Sequence, residues 1–298
     1  MPELSKQVAQ GAVWVILTRW VVRLMGLISV VVLARLLEPE DFGIAAVAAA
    51  FFAIIEGLSH FDPTKALVQR KHLDNSYFDT AWTLALVRGA IIFLFMVATA
   101  SLFASFMGDE RLRAVVFALA FIPLLNGVKS PKIIVYEKGL NFSRASIILV
   151  LAKLASLITT LSVAILYQSY WALVLGQVVS ALVELVLTFV LAPVIPKVSI
   201  RRWRELLSFG VWVSLSSFVS TLSLRIDNFL IGRFLDLASA GVYFMARQVA
   251  SLPTLEMVQP LQNVFFPTFS KFADRSDQLR RLAIDVVSVS SSIGLSVS

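Results

Sequence analysis

Apolar segments long enough to cross a bilayer follow one another along the whole of this 298-residue chain. A helix needs about 20 apolar residues to span the hydrocarbon layer, where it satisfies its own backbone hydrogen bonds. Hydrophobic residues make up 58% of the sequence and charged residues only 15%. The sequence therefore predicts an all-α polytopic membrane protein. The predicted spans are 10–36, 42–60, 80–106, 112–128, 142–167, 170–194, 208–233, 240–262 and a last one that begins near 282.

The beginning of the chain recurs 198 residues later without a gap. Matching positions are Trp14 and Trp212, Arg35 and Arg233, Glu38 and Asp236, and Gly43 and Gly241. Long repeats of this kind are typical of transporters built from two bundles of membrane helices. We predict a first six-helix lobe at 1–198 and the start of a second lobe, about three helices, at 199–298. We expect the natural chain to continue by roughly a hundred residues or more to complete the second lobe.

Basic residues are concentrated in alternate linkers. Because Lys and Arg are retained on the cytoplasmic side, this distribution places the N-terminus in the cytoplasm. An even number of spans in each repeat then predicts two parallel halves, related by an axis along the membrane normal. The basic linkers follow spans two, four, six and eight and contain Lys65, Arg70 and Lys71; Lys129, Lys132, Lys138 and Arg144; Lys197, Arg201, Arg202 and Arg204; and Lys271, Arg275, Arg280 and Arg281.

Composition argues against several classes of function. The chain has no cysteine and two histidines, which excludes a thiol nucleophile and a thiolate metal site. No phosphate-binding loop of the Walker type occurs, so an intrinsic ATPase is not expected. The net charge of +7 is explained by the linkers and does not indicate nucleic-acid binding. We predict no enzymatic activity, no cofactor and no metal.

Ionisable residues inside the predicted spans are the candidate functional residues. They are costly in hydrocarbon and normally face a bundle interior or a wet cavity. Arg19 and Arg23 are four residues apart and lie on one face of span one, and Arg225 lies in a polar stripe of span seven. Arginine binds phosphate with two hydrogen bonds, so these residues predict a cationic cavity for an anionic substrate. The predicted cavity residues are Arg19, Arg23, Arg88, Lys153, Arg225 and Arg247.

Other roles for these charges remain open. Arg88 and Arg247 are also consistent with side chains that extend to an interface, and Lys153 and Glu184 with an ion pair. Asp227 and Glu184 are the candidates for coupling an ion or a proton to transport.

Several strings resemble the bacterial polysaccharide (O-antigen) flippases of the multidrug/oligosaccharidyl-lipid/polysaccharide exporter superfamily. They are Leu-Ala-Arg-Leu-Leu-Glu-Pro-Glu-Asp-Phe-Gly at 33–43, Ala-Leu-Val-Gln-Arg-Lys at 66–71, Gly-Arg-Phe-Leu at 232–235, Gly-Val-Tyr-Phe-Met-Ala at 241–246 and Phe-Pro-Thr-Phe-Ser at 266–270. The resemblance implies two lobes that form a V around a cationic cavity in the bacterial inner membrane. It also implies alternating access that moves an undecaprenyl-diphosphate-linked oligosaccharide to the periplasmic leaflet, with polysaccharide polymerase machinery as a partner.

Three other functions are to be compared with this one. A multidrug or cation extruder of the same superfamily needs net carboxylate in its cavity, whereas the six interior cations outnumber Glu56, Glu184, Asp227 and Glu256. A membrane sugar polymerase or glycosyltransferase needs a large polar loop or an acidic pair, and the linkers here are short and basic. A scaffold without transport activity also remains open.

Overall fold

The computed structural model describes residues 2–58, 63–67, 74–139, 142–207 and 210–253. The chain divides into two compact units, Met1–Val242 and Tyr243–Ser298. Within the described ranges every regular element is a helix, which confirms the predicted all-α fold class. The helices are α1 (Pro2–Leu36), α2 (Pro39–Leu58), α3 (Pro63–Ala66), α4 (Asn75–Met107), α5 (Arg111–Val128), α6 (Ile133–Lys138), α7 (Ser143–Tyr167), α8 (Trp171–Leu191), α9 (Trp203–Leu207), α10 (Gly210–Phe234) and α11 (Leu237–Pro253).

Six of these helices, α1, α2, α4, α5, α7 and α8, are long and apolar enough to cross a membrane. They coincide with the first six predicted spans, although α4 begins at Asn75, five residues before its predicted start. Helix α10 also forms where span seven was predicted, but its serines, Arg225 and Asp227 make it less apolar than the six. The end of predicted span eight, Glu256 and the span near 282 lie outside the described residues.

Four tight turns join the long helices in pairs. The α1–α2 turn and the α10–α11 turn lie 198 residues apart, because Leu36 corresponds to Phe234 and Pro39 to Leu237. In the first turn Asp41 Oδ2 accepts a hydrogen bond from the Glu38 N–H at 3.2 Å. In the second, Asp236 Oδ1 accepts one from the Ser239 N–H at 2.6 Å. These are the two halves of a capping box, so equivalent turns are closed by opposite halves of one motif.

Left-handed backbone ends the helices at the other two turns. Gly108 follows α4 with φ 79°, and its N–H donates to the carbonyls of Ala104 and Ser105. Gln168 follows α7 with φ 44°, and its N–H donates to the Ala164 carbonyl. Glycine adopts this conformation without strain and is the usual residue for it, whereas glutamine adopts it at some cost.

The helices pack as neighbouring pairs around a shared apolar core. Helix α4 packs on α5, α7 on α8, α10 on α2, and α1 on α7. Ile44 and Val47 of α2, Met96 of α4 and Val116 of α5 are among the fully buried or nearly fully buried side chains of the largest core cluster. An aromatic stack extends the packing to α10, because Phe103 lies 4.1 Å from Phe51 and 6.0 Å from Phe229 between ring centroids.

The predicted cytoplasmic linkers contain three short helices that the sequence analysis did not predict. Helices α3, α6 and α9 occur in the linkers after α2, α5 and α8. A second, smaller core forms among these linkers and the beginning of α4. It contains Leu67, Phe78, Ala81, Ile134 and Leu206. The described parts of the linkers after α2, α5 and α8 therefore share one small core.

Candidate functional site

The N-terminal turn of α2, Pro39 to Gly43, contacts each of the other tight turns. Arg111, which opens α5, pairs with both Glu40 and Asp109. Hydrogen bonds from Arg111 hold the pKa of Asp109 below its usual value. The Tyr170 N–H in the α7–α8 turn donates to Asp41 Oδ1 at 2.9 Å. These contacts, together with the close approach of Gly43 to Leu237 in the α10–α11 turn, bring all four turns to one end of the bundle, which we call the turn end. The end that contains α3, α6 and α9 is the linker end.

The two repeated turns contact one another reciprocally. A Cβ atom added to Gly43 would lie 1.7 Å from the carbonyl oxygen of Leu237, and one added to Gly241 would lie 1.8 Å from that of Pro39. Under the 198-residue offset, Gly241 corresponds to Gly43 and Leu237 corresponds to Pro39. The approach of Gly43 to Leu237 is therefore repeated by the approach of Gly241 to Pro39, with the two turns exchanged. This is the pattern of a two-fold contact. Only glycine permits backbones to approach so closely here.

Arg23 and Lys153 lie at a common depth on neighbouring helices. Arg23 is thirteen residues before the end of α1, and Lys153 is fourteen before the end of α7. With a rise of 1.5 Å per residue, both lie about 20 Å from the turn end. Both are half-buried, and the Nε and Nη2 atoms of Arg23 are shielded from solvent. Because α1 packs on α7, the fold places two predicted cavity cations within the depth of a hydrocarbon layer of about 30 Å.

The other candidate ionisable residues of α1, α10 and α11 differ in their exposure to solvent. Arg19, one helical turn from Arg23, is exposed, and so is Arg225 on α10. Asp227 is half-buried, and its Oδ1 accepts a hydrogen bond from the Asn228 N–H at 2.9 Å. Arg247 belongs to the second compact unit, where it is half-buried. Arg19 and Arg225 are therefore exposed, whereas Asp227 and Arg247 are half-buried.

Asn228 is a polar residue whose burial the sequence did not reveal. It belongs to the predicted polar stripe of α10, yet its residue exposure is 1%. Its Oδ1 atom is buried and has no hydrogen-bond partner among the described residues. Buried side-chain oxygens usually accept a hydrogen bond. Asn228 is therefore an additional candidate functional residue of α10, as a hydrogen-bond acceptor. The signal in the sequence was the stripe of polar residues, which did not indicate which member was buried.

Arg88 on α4 and Glu56 on α2 form an ion pair. Arg88 Nη2 lies 3.7 Å from Glu56 Oε1, and the two side chains are 25% and 31% exposed. This contact joins two helices that share little other surface. It gives Arg88 a structural partner, which is one of the roles that the sequence left open.

The Arg88–Glu56 pair predicts a compensating double variant. Glu56→Gln or Arg88→Gln alone should lower the free energy of unfolding by about 1–2 kcal/mol, because one charge loses this partner in a poorly solvated layer. The double variant should cost less than the sum, since neither charge then remains. Thermal unfolding in detergent micelles measures this, with Arg113→Gln, an exposed arginine of α5, as the control. Additive losses would show that the pair does not couple the two helices.

Glu184 pairs with Lys129, at the end of α5, and not with Lys153. The sequence had left open a Lys153–Glu184 pair. Helix α8 packs on α5 as well as on α7, and the face that carries Glu184 meets Lys129. Glu184 therefore contributes to the linker end, beside the hydrogen bond from the Ser130 Oγ to the Ala192 carbonyl at 2.6 Å.

A sequence profile described as polysaccharide biosynthesis protein matches residues 32–297. The chain belongs to this family. The match begins near the end of α1 and includes both repeated turns, so the reciprocal glycine contact lies within the family region. With six apolar helices of spanning length among its described residues, this chain is a multi-pass membrane protein, as predicted.

Several curated relatives are similar to this chain over most of its length. The succinoglycan biosynthesis transport protein ExoT of Rhizobium meliloti (strain 1021) is 26% identical over 295 residues, 96% of this chain and 59% of its own length. The lipopolysaccharide biosynthesis protein WzxC of Escherichia coli (strain K12) is 24% identical over 93% of this chain and 57% of its own length. The teichuronic acid biosynthesis protein TuaB of Bacillus subtilis (strain 168) is 23% identical over 91% and 57%, respectively. The chain thus spans just under three fifths of these relatives. No solved structure matches it.

Proposed function

We propose that this chain is part of an exporter that moves a lipid-linked oligosaccharide across the bacterial inner membrane. The observation that carries the proposal is the family match over residues 32–297. Its similarity to a protein named for succinoglycan transport supports movement of the sugar rather than its synthesis. The substrate that we propose is an undecaprenyl-diphosphate-linked repeat unit, because its diphosphate matches the cations within the spans.

The proposed mechanism has no covalent step. The lipid tail remains in or near the bilayer while the anionic head group enters between the lobes, 1–198 and 199 onwards. There Arg23 and Lys153 offset the cost of removing the diphosphate from water. Arg19 lies one helical turn nearer the linker end and would meet the head group as it enters from the cytoplasm. Arg225 and Arg247 are the proposed contributions of the second half.

Alternating access requires the two halves to separate at one end while they meet at the other. The reciprocal contact of Gly43 and Gly241 supports a state in which the turn end is closed. With the N-terminus in the cytoplasm, the turn end is periplasmic, and this is a state that receives substrate from the cytoplasmic side. Asp227 is the proposed site for coupling an ion or proton, whereas Glu184 is already held by Lys129. Polysaccharide polymerase machinery would receive the product.

Reconstitution of the full-length protein in liposomes tests this proposal. A fluorescent undecaprenyl-diphosphate sugar is placed in one leaflet, and its accessibility to a membrane-impermeant quencher is followed in the other. We expect accessibility to rise only in liposomes that contain the protein. Efflux of a lipophilic cation without movement of the lipid-linked sugar would overturn the proposal and support a multidrug extruder. Absence of both activities in correctly inserted protein would support a scaffold.

A further inference from the structure

The segment between α8 and α9 is an extended linker fixed to the beginning of α4. Pro193 and Pro196 have no N–H to donate to a helical hydrogen bond, which disfavours a helix here. The Lys197 N–H donates to Asp79 Oδ1 at 2.9 Å, and the Ser199 N–H donates to Thr83 Oγ1 at 2.9 Å. The linker therefore runs along α4 with alternate backbone donors directed towards that helix.

The same linker, together with Trp203 at the start of α9, leaves large apolar side chains outside the core. Ile195 is 90% exposed, Val198 78%, Ile200 65% and Trp203 43%. We call these four residues the linker face. The small core at the linker end contains Leu206 of α9 but none of these four residues, so the four do not pack within it. Apolar residues exposed in sequence along a well-fixed segment usually mark an interaction surface.

Cations surround the linker face. Lys197, Arg201 and Arg204 are exposed, and no carboxylate occurs between positions 185 and 204. A fourth cation, Arg202, has its own protein partner, because its Nη1 lies 2.9 Å from Glu205 Oε1 and its guanidinium lies over the Tyr77 ring. Three exposed positive charges thus lie beside apolar side chains, and the Arg204 guanidinium lies over the Trp203 ring at 5.4 Å from its centroid. This is the pattern of segments that bind anionic membrane surfaces.

The linker lies where the membrane-spanning helices end. The Trp82 Nε1–H of α4 donates to the carbonyl of Val128, the last residue of α5, at 3.0 Å. Arg144, near the beginning of α7, donates to the carbonyl of Leu191, the last residue of α8. The linker contacts α4 at Asp79 to Thr83, beside Trp82 and therefore at the same level. Tryptophan is enriched at this depth, at the boundary between head groups and acyl chains.

We propose that the linker face is a docking surface for anionic lipid head groups of the adjacent leaflet. Ile195, Val198, Ile200 and Trp203 lie at the boundary of the acyl chains, and Lys197, Arg201 and Arg204 contact lipid phosphates. The joint between the two repeated halves is thereby fixed to the membrane surface. This inference does not depend on which substrate the protein moves.

Site-directed spin labelling of the full-length protein tests the proposal. Because the sequence has no cysteine, a nitroxide at Val198→Cys reports on one position. The accessibility of the label is measured in nanodiscs of phosphatidylglycerol and in nanodiscs of phosphatidylcholine. Two collision reagents are used: oxygen, which concentrates in the bilayer, and a neutral nickel chelate, which remains in water. We expect the Val198 label to favour oxygen, more strongly in phosphatidylglycerol. The control is Asn75→Cys, an exposed position at the start of α4, which should favour the nickel chelate in both lipids.

Charge variants separate lipid recognition from apolar contact alone. In the labelled protein, Arg201→Gln with Arg204→Gln should lower the equilibrium constant for insertion in phosphatidylglycerol by about fivefold for each cation. Arg113→Gln, at the turn end, is the matched control and should leave the label unchanged. A Val198 label as accessible to the nickel chelate as the Asn75 label would overturn the proposal. Equal insertion in both lipids would refute recognition of anionic head groups.

Discussion

Replacement of Gly43 or Gly241 by alanine should open the contact between the α1–α2 and α10–α11 turns and lower both thermal stability and transport. Each new Cβ would lie within 2 Å of a backbone carbonyl oxygen, 1.7 Å for Gly43 and 1.8 Å for Gly241. A backbone atom cannot move aside by a change of rotamer, so the helices themselves must separate. Overpacking of this kind costs about 1–3 kcal/mol. Thermal unfolding in micelles and the lipid-flipping assay measure the two effects.

The pattern across variants distinguishes this contact from a general effect of losing glycine. Alanine favours a helix over glycine by about 1 kcal/mol, and Gly26 of α1 has no heavy atom near its hypothetical Cβ. Gly26→Ala should therefore leave stability unchanged or raise it, opposite in sign to the other two. The Gly43→Ala, Gly241→Ala double variant should cost less than the sum, because either change already separates the same two backbones. Wild-type stability and transport in both single variants would refute the closed contact.

The sequence predicted the long helices well because each must provide about 20 apolar residues to cross the lipid and must satisfy its own backbone hydrogen bonds. The first seven predicted spans coincide with helices, and the 198-residue offset locates both pairs of helix ends at the repeated turns. The short helices α3, α6 and α9 were missed, because four to six residues are too few for a helical period to emerge. Their packing depends on segments that are distant in sequence, because Leu67, Ile134 and Leu206 share one small core with Phe78 of α4.

The candidate site was only partly accessible from sequence. The sequence identified which ionisable residues lie inside the predicted spans, but it did not indicate the partners of these residues. Arg88 meets Glu56 and Glu184 meets Lys129, and both pairings depend on which helices are neighbours. The glycine contact was visible in the sequence only as two matched positions of a repeat. The reciprocal approach of their backbones required the fold.

Loss of the Arg23 guanidinium should abolish most transport while membrane insertion and stability persist. Arg23 and Lys153 lie on neighbouring helices at a common depth of about 20 Å from the turn end. A charge-assisted hydrogen bond contributes about 1.5–3 kcal/mol, so Arg23→Ala should lower the flipping rate by about tenfold to a hundredfold. Arg23→Lys should recover part of it, because an ammonium retains the charge but not the bidentate geometry. The liposome assay measures the rate, and surface polysaccharide in cells gives a second measure.

Companion variants test whether the effect follows depth and burial. Lys153→Gln should also slow transport, by less than Arg23→Ala, since lysine binds phosphate as a point charge. Arg19→Ala should have an intermediate effect, because this exposed side chain would meet the substrate only on entry. Arg113→Ala, an exposed arginine at the turn end, has the same charge change and should transport at the wild-type rate. Normal surface polysaccharide in Arg23→Ala would remove Arg23 from the essential residues, and equal losses in Arg113→Ala would indicate a nonspecific effect of charge.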